Sequence, residues 1–172
     1  MLSVVILTFN SEKYLKEVLE SAKFADEIIV VDSGSKDSTR QICDGFSNVK
    51  FHEQAWLGFG AQKQKGVDLA KNEWIFVLDS DEVITDELKN EIISTLKEPK
   101  FNAYNVARLN FFFGKAIKNM GLYPDYTVRL FNKNFAKFDG RAVHEKVVLN
   151  DGSQRLGALK NHFLHYAYES IE

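Results

Sequence analysis

The first hundred residues alternate short apolar runs with amphipathic segments, and this rhythm limits the folds open to the chain more than any other feature. The runs at Leu2–Thr8, Glu27–Asp32 and 74–78 are rich in Ile, Val and other apolar residues, as buried strands are. Between them, apolar residues recur at helical spacing, as they do from Tyr14 to Ala22. Strands that alternate with helices form a mainly parallel sheet, so the sequence predicts an α/β fold.

Further helices are predicted around 39–46, 61–71 and 86–97, with a short strand at 49–52. We expect Asn10 and Ser11 to cap the first helix and Pro99 to close the last.

After residue 100 the pattern becomes β-rich, and we expect these stretches to complete a mixed sheet: 104–109, 127–131, 146–149 and 163–166. No repeat or linker interrupts the chain. A length of 172 residues suits one domain, so 1–172 is expected to form a single unit.

Composition excludes several classes of protein. The lone Cys43 permits neither an internal disulfide nor a thiolate metal site. No apolar run approaches the roughly 18 residues of a spanning helix, and the start does not resemble a signal peptide, so a cytoplasmic location is expected. From 101 to 138, six basic residues accompany one acid, Asp125. Such a patch could attract a pyrophosphate, an anionic glycolipid or a membrane surface, or be an ordinary solvated face.

Polar clusters follow three of the predicted strands, at 8–10, 32–35 and 79–81. In an open α/β sheet, ligands bind beyond the carboxyl ends of the strands, where such loops meet. The three clusters therefore predict one binding site at this edge.

Acidic residues dominate the cluster after the fourth predicted strand, where Asp79 and Asp81 stand beside Glu82. Close carboxylates repel each other unless a cation lies near, and hard oxygen ligands favour Mg²⁺ or Mn²⁺ over zinc. The alternative is that they cap the following helix. Asp32 has two interpretations as well: it accepts hydrogen bonds from a nucleobase, or it caps the turn at 33–37.

Glu145 is the candidate general base, because a carboxylate beside a reaction centre can take a proton from an attacking hydroxyl. It follows His144 at the start of a β-rich stretch. Trp56 and the Phe run at 111–113 either stack on a sugar or belong to the core.

Several motifs resemble those of glycosyltransferase family 2, a large inverting group with the GT-A fold. They are TFNSEKYL at 8–15, VVDSGSKDST at 30–39 and WIFVLDSDE at 74–82. GFGAQKQKG at 58–66, YPDYTVRLF at 123–131, VHEK at 143–146 and HYAY at 165–168 are similar to the branch that contains bacterial lipopolysaccharide core glucosyltransferases. The resemblance covers nearly the whole chain.

The resemblance implies a role for each matching residue. The nucleotide pocket would contain Thr8, Asn10 and Glu12, with Asp32 on the uracil, Lys63 near the base or the phosphates, and Asp79 on the ribose or supporting the site. Asp81 and His165 would hold Mn²⁺ or Mg²⁺. Arg129 would bind phosphate or the acceptor, with Asp125 close by, and Glu145 would be the catalytic base.

The implied reaction moves a hexose from a UDP-sugar, UDP-glucose by resemblance, onto an acceptor hydroxyl in the lipopolysaccharide or lipooligosaccharide core. The expected partners are this donor, a glycolipid or oligosaccharide acceptor and the inner face of the membrane as a peripheral contact, but no nucleic acid. Because relatives continue past residue 172, the chain is expected to be the catalytic domain of a longer protein.

Other function classes stay open on the sequence. A strand ending in DxD with Val83 two residues on is also the signature of haloacid-dehalogenase-type phosphatases. A nucleotide-sugar-binding domain without turnover is a second alternative. A dinucleotide oxidoreductase is disfavoured, because no GxGxxG follows the first strand.

Overall fold

The computed structural model describes residues 1–118, 123–141 and 145–168. Within these residues the elements in chain order are β1 (Leu2–Thr8), α1 (Leu15–Ala22), β2 (Glu27–Asp32), α2 (Thr39–Asp44), β3 (Val49–Glu53), α3 (Phe59–Leu69), β4 (Trp74–Asp79), β5 (Glu82–Ile84), α4 (Asp86–Thr95), β6 (Ala103–Phe112), β7 (Lys115–Ala116), β8 (Asp125–Asn132), β9 (Ala136–Phe138), β10 (Val147–Leu149) and β11 (Gly157–Tyr168).

One large sheet dominates the described part of the chain, with strand order β3-β2-β1-β4-β8-β6-β11-β5 and with β7 paired to β6. The strands β3, β2, β1 and β4 run parallel. β8 is antiparallel to both of its neighbours, β4 and β6, whereas β11 is parallel to β6 and antiparallel to β5. The sheet is therefore mixed, and the prediction of an α/β fold is confirmed.

Most predicted elements are present, but two local predictions are wrong. The stretch predicted as a main-sheet strand at 146–149 pairs instead with β9 in a separate two-stranded sheet. Alternation along a strand marks which side chains are buried, but it does not specify the pairing partner. Asn10 and Ser11 do not cap α1, which begins at Leu15 after an N-cap, Tyr14, that makes no side-chain cap hydrogen bond.

Two apolar clusters cover the two faces of the sheet. Alternate residues of β1 enter different clusters, Val4 and Ile6 with α1 and α4, and Val5 and Leu7 with α3. Gly66 lets α3 lie against β1, because a Cβ there would stand 2.3 Å from Cγ1 of Val5. This close approach lets the second half of α3 pack directly on β1.

A buried carboxylate ties together the opposite edge of the sheet. Glu27 accepts hydrogen bonds from Ser3 Oγ at 2.7 Å and from the Lys71 amide at 2.5 Å, and it pairs with Lys50. Burial alone raises the pKa of Glu27, but the bonds from Lys50, Ser3 and the Lys71 amide outweigh it and hold the pKa at about 2.

We expect Glu27→Gln to lower the free energy of unfolding by about 1–3 kcal/mol at neutral pH, because it removes a charge-assisted hydrogen-bond network. The lowered pKa stabilises the fold above the ordinary value near 4.5, and this contribution is lost as the pH falls toward about 2. Urea unfolding across this pH range should show the two proteins converging in stability. The exposed Glu20, changed to Gln, serves as the control. A stability difference that did not vary with pH would contradict the prediction.

Candidate active site

The loops that follow β1, β2 and β4 meet at the carboxyl edge of the sheet, as the sequence predicted. Thr8 Oγ1 donates a hydrogen bond to Asp32 Oδ2 at 2.8 Å and thereby joins the ends of β1 and β2. Ser11 and Ser80 hydroxyl oxygens lie 2.9 Å apart and join the loops after β1 and β4.

Asp32 organises the turn after β2. Its Oδ1 accepts hydrogen bonds from the amides of Gly34 and Ser35 at 2.9 and 2.8 Å, and Oδ2 accepts from the Thr8 and Ser35 hydroxyls. Burial raises the pKa of Asp32, but the hydrogen bonds from Ser35, Thr8 and Gly34 outweigh it and lower that pKa. Of the two interpretations, the structure shows the turn cap. A contact between Asp32 and uracil stays a prediction.

Asn10 and Glu12 hold the loop after β1 against the loop after β2. Asn10 Oδ1 accepts a hydrogen bond from the Lys36 amide at 2.8 Å, with the Asn10 backbone at a φ of 50°. Glu12 Oε2 accepts from the Ser38 amide at 2.9 Å, and the Glu12 amide donates to Asp37 at 3.0 Å. Both side chains therefore shape the rim of this edge.

A first cavity, which we call the aromatic cavity, opens between these loops and α3. Its volume is about 600 Å³, and its wall consists of Leu7, Thr8, Phe9, Ser33, Trp56, Phe59, Asp79 and Ser80. Phe9, Trp56 and Phe59 are about half exposed, and the rings of Trp56 and Phe59 meet edge to face at 4.8 Å. Exposed ring faces beside hydroxyls and one carboxylate suit a ligand with both aromatic and polar parts.

Five charged side chains form a continuous chain beneath the site, which we call the charged chain. Glu82 lies 2.6 Å from Arg129, and Arg129 lies 3.5 Å from Asp79. Lys63 Nζ in turn lies 3.2 Å from Asp79 Oδ1 and 2.8 Å from Glu145 Oε1. Residues distant in sequence thus share one electrostatic network.

Asp79 and Glu82, the two acids on either side of Arg129, differ in their pKa values. Burial raises the pKa of Asp79, but the charges of Arg129 and Lys63 outweigh it and bring the pKa to about 2. Glu82 has no exposed surface, and burial together with the Asp79 charge raises its pKa to about 7 against the pull of Arg129. Asp79 is therefore ionised at neutral pH, and Glu82 is the weaker acid of the two.

Arg129, which the resemblance implies would bind phosphate or the acceptor, contacts other groups of the protein. It is buried, it donates to the Val77 carbonyl at 3.2 Å and to Glu82, and its guanidinium lies over the Phe163 ring. Asp125, which the resemblance placed close by, pairs with Arg108 at 2.5 Å. Arg129 holds the acidic loop in place from below.

Asp81 and His165 face each other at the edge of the site. Asp81 Oδ2 and His165 Nε2 are 3.5 Å apart, and the Tyr166 amide donates to the Asp81 carbonyl at 3.0 Å. Asn110 Oδ1 lies 2.7 Å from His165 Nδ1, so this nitrogen carries the proton and Nε2 faces Asp81. This arrangement leaves an imidazole lone pair and a carboxylate side by side.

The Asp81 and His165 pair fits a divalent cation only in part. Among residues 1–118, 123–141 and 145–168, no cluster of three or more His, Cys, Asp or Glu side chains has metal-binding geometry. Mg²⁺ in particular takes one or two carboxylates from a protein and completes its shell with substrate phosphates and water. The donor set therefore fits a cation that arrives with a diphosphate.

A second cavity of about 680 Å³, which we call the distal cavity, lies beyond the charged chain. Lys63, Asp79 and Glu145 contribute to its wall, and most of the remainder comes from β6, β8 and the 146–156 segment. Asp79 lines both cavities, so this residue stands between the two spaces. His144, which the sequence places beside Glu145, lies outside the described residues.

Sequence reasoning missed three residues that shape the site. Glu82 was noted only as a third acid and Gly60 only as part of a motif, and Asn110, one residue beyond the predicted strand at 104–109, was not noted. A Cβ on Gly60 would stand 2.6 Å from the Arg141 carbonyl oxygen and 3.2 Å from Glu145 Cβ. For Glu82 the available signal was an acid that closely follows an apolar strand. No local pattern marks Asn110 or Gly60.

The basic patch of the second half is partly structural. Arg108 and Arg129 have acidic partners, and Lys133 Nζ donates to the Ala70 carbonyl at 2.5 Å. Lys115 and Lys118 remain exposed. None of the described helices is both long enough and apolar enough to cross a membrane.

Comparison with known proteins gives the family. Residues 3–158 match the model of glycosyl transferase family 2, and the chain belongs to this family. An uncharacterized glycosyltransferase of Rickettsia bellii is 31% identical across 99% of this chain and 61% of its own length. The lipopolysaccharide core biosynthesis glycosyltransferase LpsC of Rhizobium meliloti is 28% identical across 92% of this chain and 62% of its own length. The chain thus spans about three fifths of these relatives.

Solved structures share the fold. Staphylococcus aureus TarS in complex with UDP-GlcNAc superposes with a TM-score of 0.71 at 20% identity, over 99% of this chain and 59% of that one. Glucosyl-3-phosphoglycerate synthase of Mycobacterium tuberculosis, in complex with Mn²⁺, UDP and glucosyl-3-phosphoglycerate, gives 0.52 at 21% identity, over 64% and 44%. The predicted GT-A fold is confirmed, and family membership does not favour a phosphatase.

Proposed function

We propose that this chain is the catalytic part of an inverting hexosyltransferase that transfers a sugar from a UDP-sugar, UDP-glucose by our interpretation, to a sugar hydroxyl. The observation that carries the proposal is the junction at Asp79, which lines both the aromatic cavity and the distal cavity and precedes Asp81 of the Asp81 and His165 pair by two residues. A role in lipopolysaccharide or lipooligosaccharide core synthesis is supported by the name of the Rhizobium relative. The donor class is supported by the structural neighbours, since TarS was solved with UDP-GlcNAc and the mycobacterial synthase with UDP and Mn²⁺.

The aromatic cavity is the proposed donor site. Phe9 and Trp56 offer ring faces to the uracil, and the loops shaped by Thr8, Asn10, Glu12 and Asp32 surround the ribose and the phosphates. Asp81 and His165 would hold Mn²⁺ or Mg²⁺, which offsets the charge of the departing diphosphate when it is bound. Asp79, kept ionised by Arg129 and Lys63, supports the junction.

Glu145 is the proposed catalytic base. Its carboxylate borders the distal cavity, and Lys63 holds Oε1 at 2.8 Å. The attacking hydroxyl gives its proton to Glu145 while its oxygen bonds to the anomeric carbon, and the bond from that carbon to the diphosphate breaks on the opposite face. One displacement of this kind inverts the anomeric centre and needs no covalent enzyme intermediate.

Donor binding and its metal dependence test the donor half of the proposal. A ligand at about a hundred times its Kd adds about 2.7 kcal/mol to the free energy of unfolding. We therefore expect UDP-glucose with Mn²⁺ to raise the melting temperature, and to raise it more than equal concentrations of nucleotide sugars that bind less tightly. The part of the shift that needs Mn²⁺ should disappear in His165→Ala. His162→Ala, on the same strand but bonded to Tyr123, is the matched control. Equal shifts with and without metal, or none with any nucleotide sugar, would contradict the proposal.

The base assignment predicts a loss of turnover without a loss of donor binding. Glu145→Gln should lower transfer by about 10²-fold or more, because glutamine keeps the contact with Lys63 but cannot take the proton. Sugar transfer and UDP release are measured together, with the exposed Glu53→Gln as control. Undiminished transfer in Glu145→Gln would show that another group is the base. A wild-type protein that binds donor without ever releasing UDP would support the non-catalytic alternative.

α3 places Glu145 through a close backbone approach. Gly60 and Lys63 lie one turn apart on this helix, and both contact the segment that carries Glu145. Gly60 leaves room for the Arg141 carbonyl, whereas Lys63 holds the carboxylate. A side chain at residue 60 would push the segment away from the helix.

We expect Gly60→Ala to lower kcat by about 10-fold to 100-fold with an unchanged donor KM, because small displacements of a catalytic group are costly. Gly66→Ala in the same helix is the matched control. Its Cβ would contact Val5 and not the Glu145 segment, so it should lower the free energy of unfolding by about 1–3 kcal/mol and leave the kcat of folded protein intact. Steady-state kinetics and urea unfolding measure both effects. A wild-type kcat in Gly60→Ala would refute this positioning role.

A further inference from the structure

Glu145 lies in the connection of the small hairpin that β9 and β10 form outside the main sheet. The pairing of these two strands ends at Phe138, which is opposite Val147. The connection therefore runs from 139 to 146, and Glu145 is its last residue but one. The proposed base thus lies outside the strand pairing, and its position depends on other contacts.

Asp139 closes this connection from its first residue. Its amide donates to the Lys146 carbonyl at 2.9 Å, and its Oδ1 accepts hydrogen bonds from the amides of Lys146 at 3.2 Å and of Arg141 at 3.3 Å. Its Oδ2 lies 2.7 Å from Nε of Arg141. Asp139 therefore joins the two ends of the connection at the residue that directly follows Glu145.

The Asp139 carboxylate is shielded, although the chain around it is exposed. Its side chain is 12% exposed, against 58% for Arg141. Burial raises the pKa of Asp139, but the hydrogen bonds from the Lys146 and Arg141 amides and the charge of Arg141 outweigh it and lower that pKa. The carboxylate is therefore ionised at neutral pH, and hydrogen bonds to a charged acceptor are stronger than those to a neutral one.

α3 holds the same connection from the other side. Gln64 Oε1 accepts a hydrogen bond from the Phe138 amide at 3.0 Å, directly before Asp139, and Lys63 Nζ lies 2.8 Å from Glu145 Oε1. These contacts attach the hairpin to the helix, whereas the Asp139 contacts attach the two ends of the connection to each other. Both sets are needed to define where the Glu145 carboxylate lies.

We propose that Asp139 is a positioning residue for the catalytic base, because it fixes the ends of the connection and so keeps Glu145 beside Lys63. Asp139 lines neither the aromatic cavity nor the distal cavity, so it acts through Glu145 and not on a ligand. A displacement of a catalytic group by about 1 Å can lower the rate about 10²-fold. The inference rests on the proposed function, in which Glu145 takes the proton.

Kinetics of Asp139 variants test this role, with UDP-glucose, Mn²⁺ and isolated lipooligosaccharide core as substrates and UDP release as the signal. We expect Asp139→Ala to lower kcat by about 10-fold to 100-fold with an unchanged donor KM, because the base moves while the donor site keeps its residues. Asp139→Asn should keep kcat within about threefold of the wild type, because its amide oxygen still accepts from both backbone amides.

Asp26→Ala is the matched control. It also removes a carboxylate that accepts a hydrogen bond from a backbone amide, that of Leu2 at 2.6 Å, but at the opposite edge of the sheet. We expect it to leave the kcat of the folded protein unchanged. Urea unfolding gives the folded fraction of every variant, and Asp139→Ser replaces Asp139→Ala if the latter does not fold, with a loss of kcat expected in it as well.

A double variant separates positioning from a role in stability alone. Once Glu145→Gln has removed the base, adding Asp139→Ala should lower kcat no further, because its effect passes through Glu145. An additional loss in the double variant as large as that in the wild type would show that Asp139 acts independently of the base and would overturn the proposal.

Two further results would overturn it: a wild-type kcat in folded Asp139→Ala, or a loss in Asp139→Asn as large as that in Asp139→Ala. Undiminished transfer in Glu145→Gln, or no turnover by the wild type, would remove the proposed function and this inference with it. Reduced transfer in Glu145→Gln together with a wild-type kcat in Asp139→Ala would remove only the positioning role.

Discussion

The buried contact between Arg129 and Glu82 is the interaction on which the site depends. A buried ion pair contributes little net stability, but removal of one partner is costly, so the pair imposes a geometry on whatever surrounds it. Glu82 Oε2 accepts the Asp79 amide at 2.9 Å, and Arg129 reaches both the Val77 carbonyl and Asp79. These contacts hold the acidic loop between β4 and β5, in which Asp81 faces His165.

Asp79 links the two halves of the molecule. Parallel strands of the first half place it at the carboxyl edge, and the antiparallel strand β8 of the second half brings Arg129 to it. α3 adds Lys63, which joins Asp79 to Glu145. Because Asp79 lines both the aromatic and the distal cavity, it stands between the proposed donor site and the space that Glu145 borders.

Predictability from sequence differed between the halves of the chain. β1 and β2 were predicted with the correct bounds, since continuous Ile and Val runs leave little ambiguity. β10 was assigned to the wrong sheet, because its partner β9 is only three residues long and gives no periodic signal. The ion pair between Arg129 and Glu82 was not predicted, because a lone base in an apolar strand does not reveal a buried acid that follows another strand.

The sequence by itself determined the α/β class, the edge at which the polar loops meet and the motifs of the family, because strand burial and loop polarity are local properties of the chain. Only the tertiary structure decided which charges pair, that Asp32 caps its own turn, and that Gly60 lets the Glu145 segment approach α3. These features depend on strand order and on distances between residues far apart in the chain. Such distances are set by packing of the whole molecule and leave no mark in any local pattern.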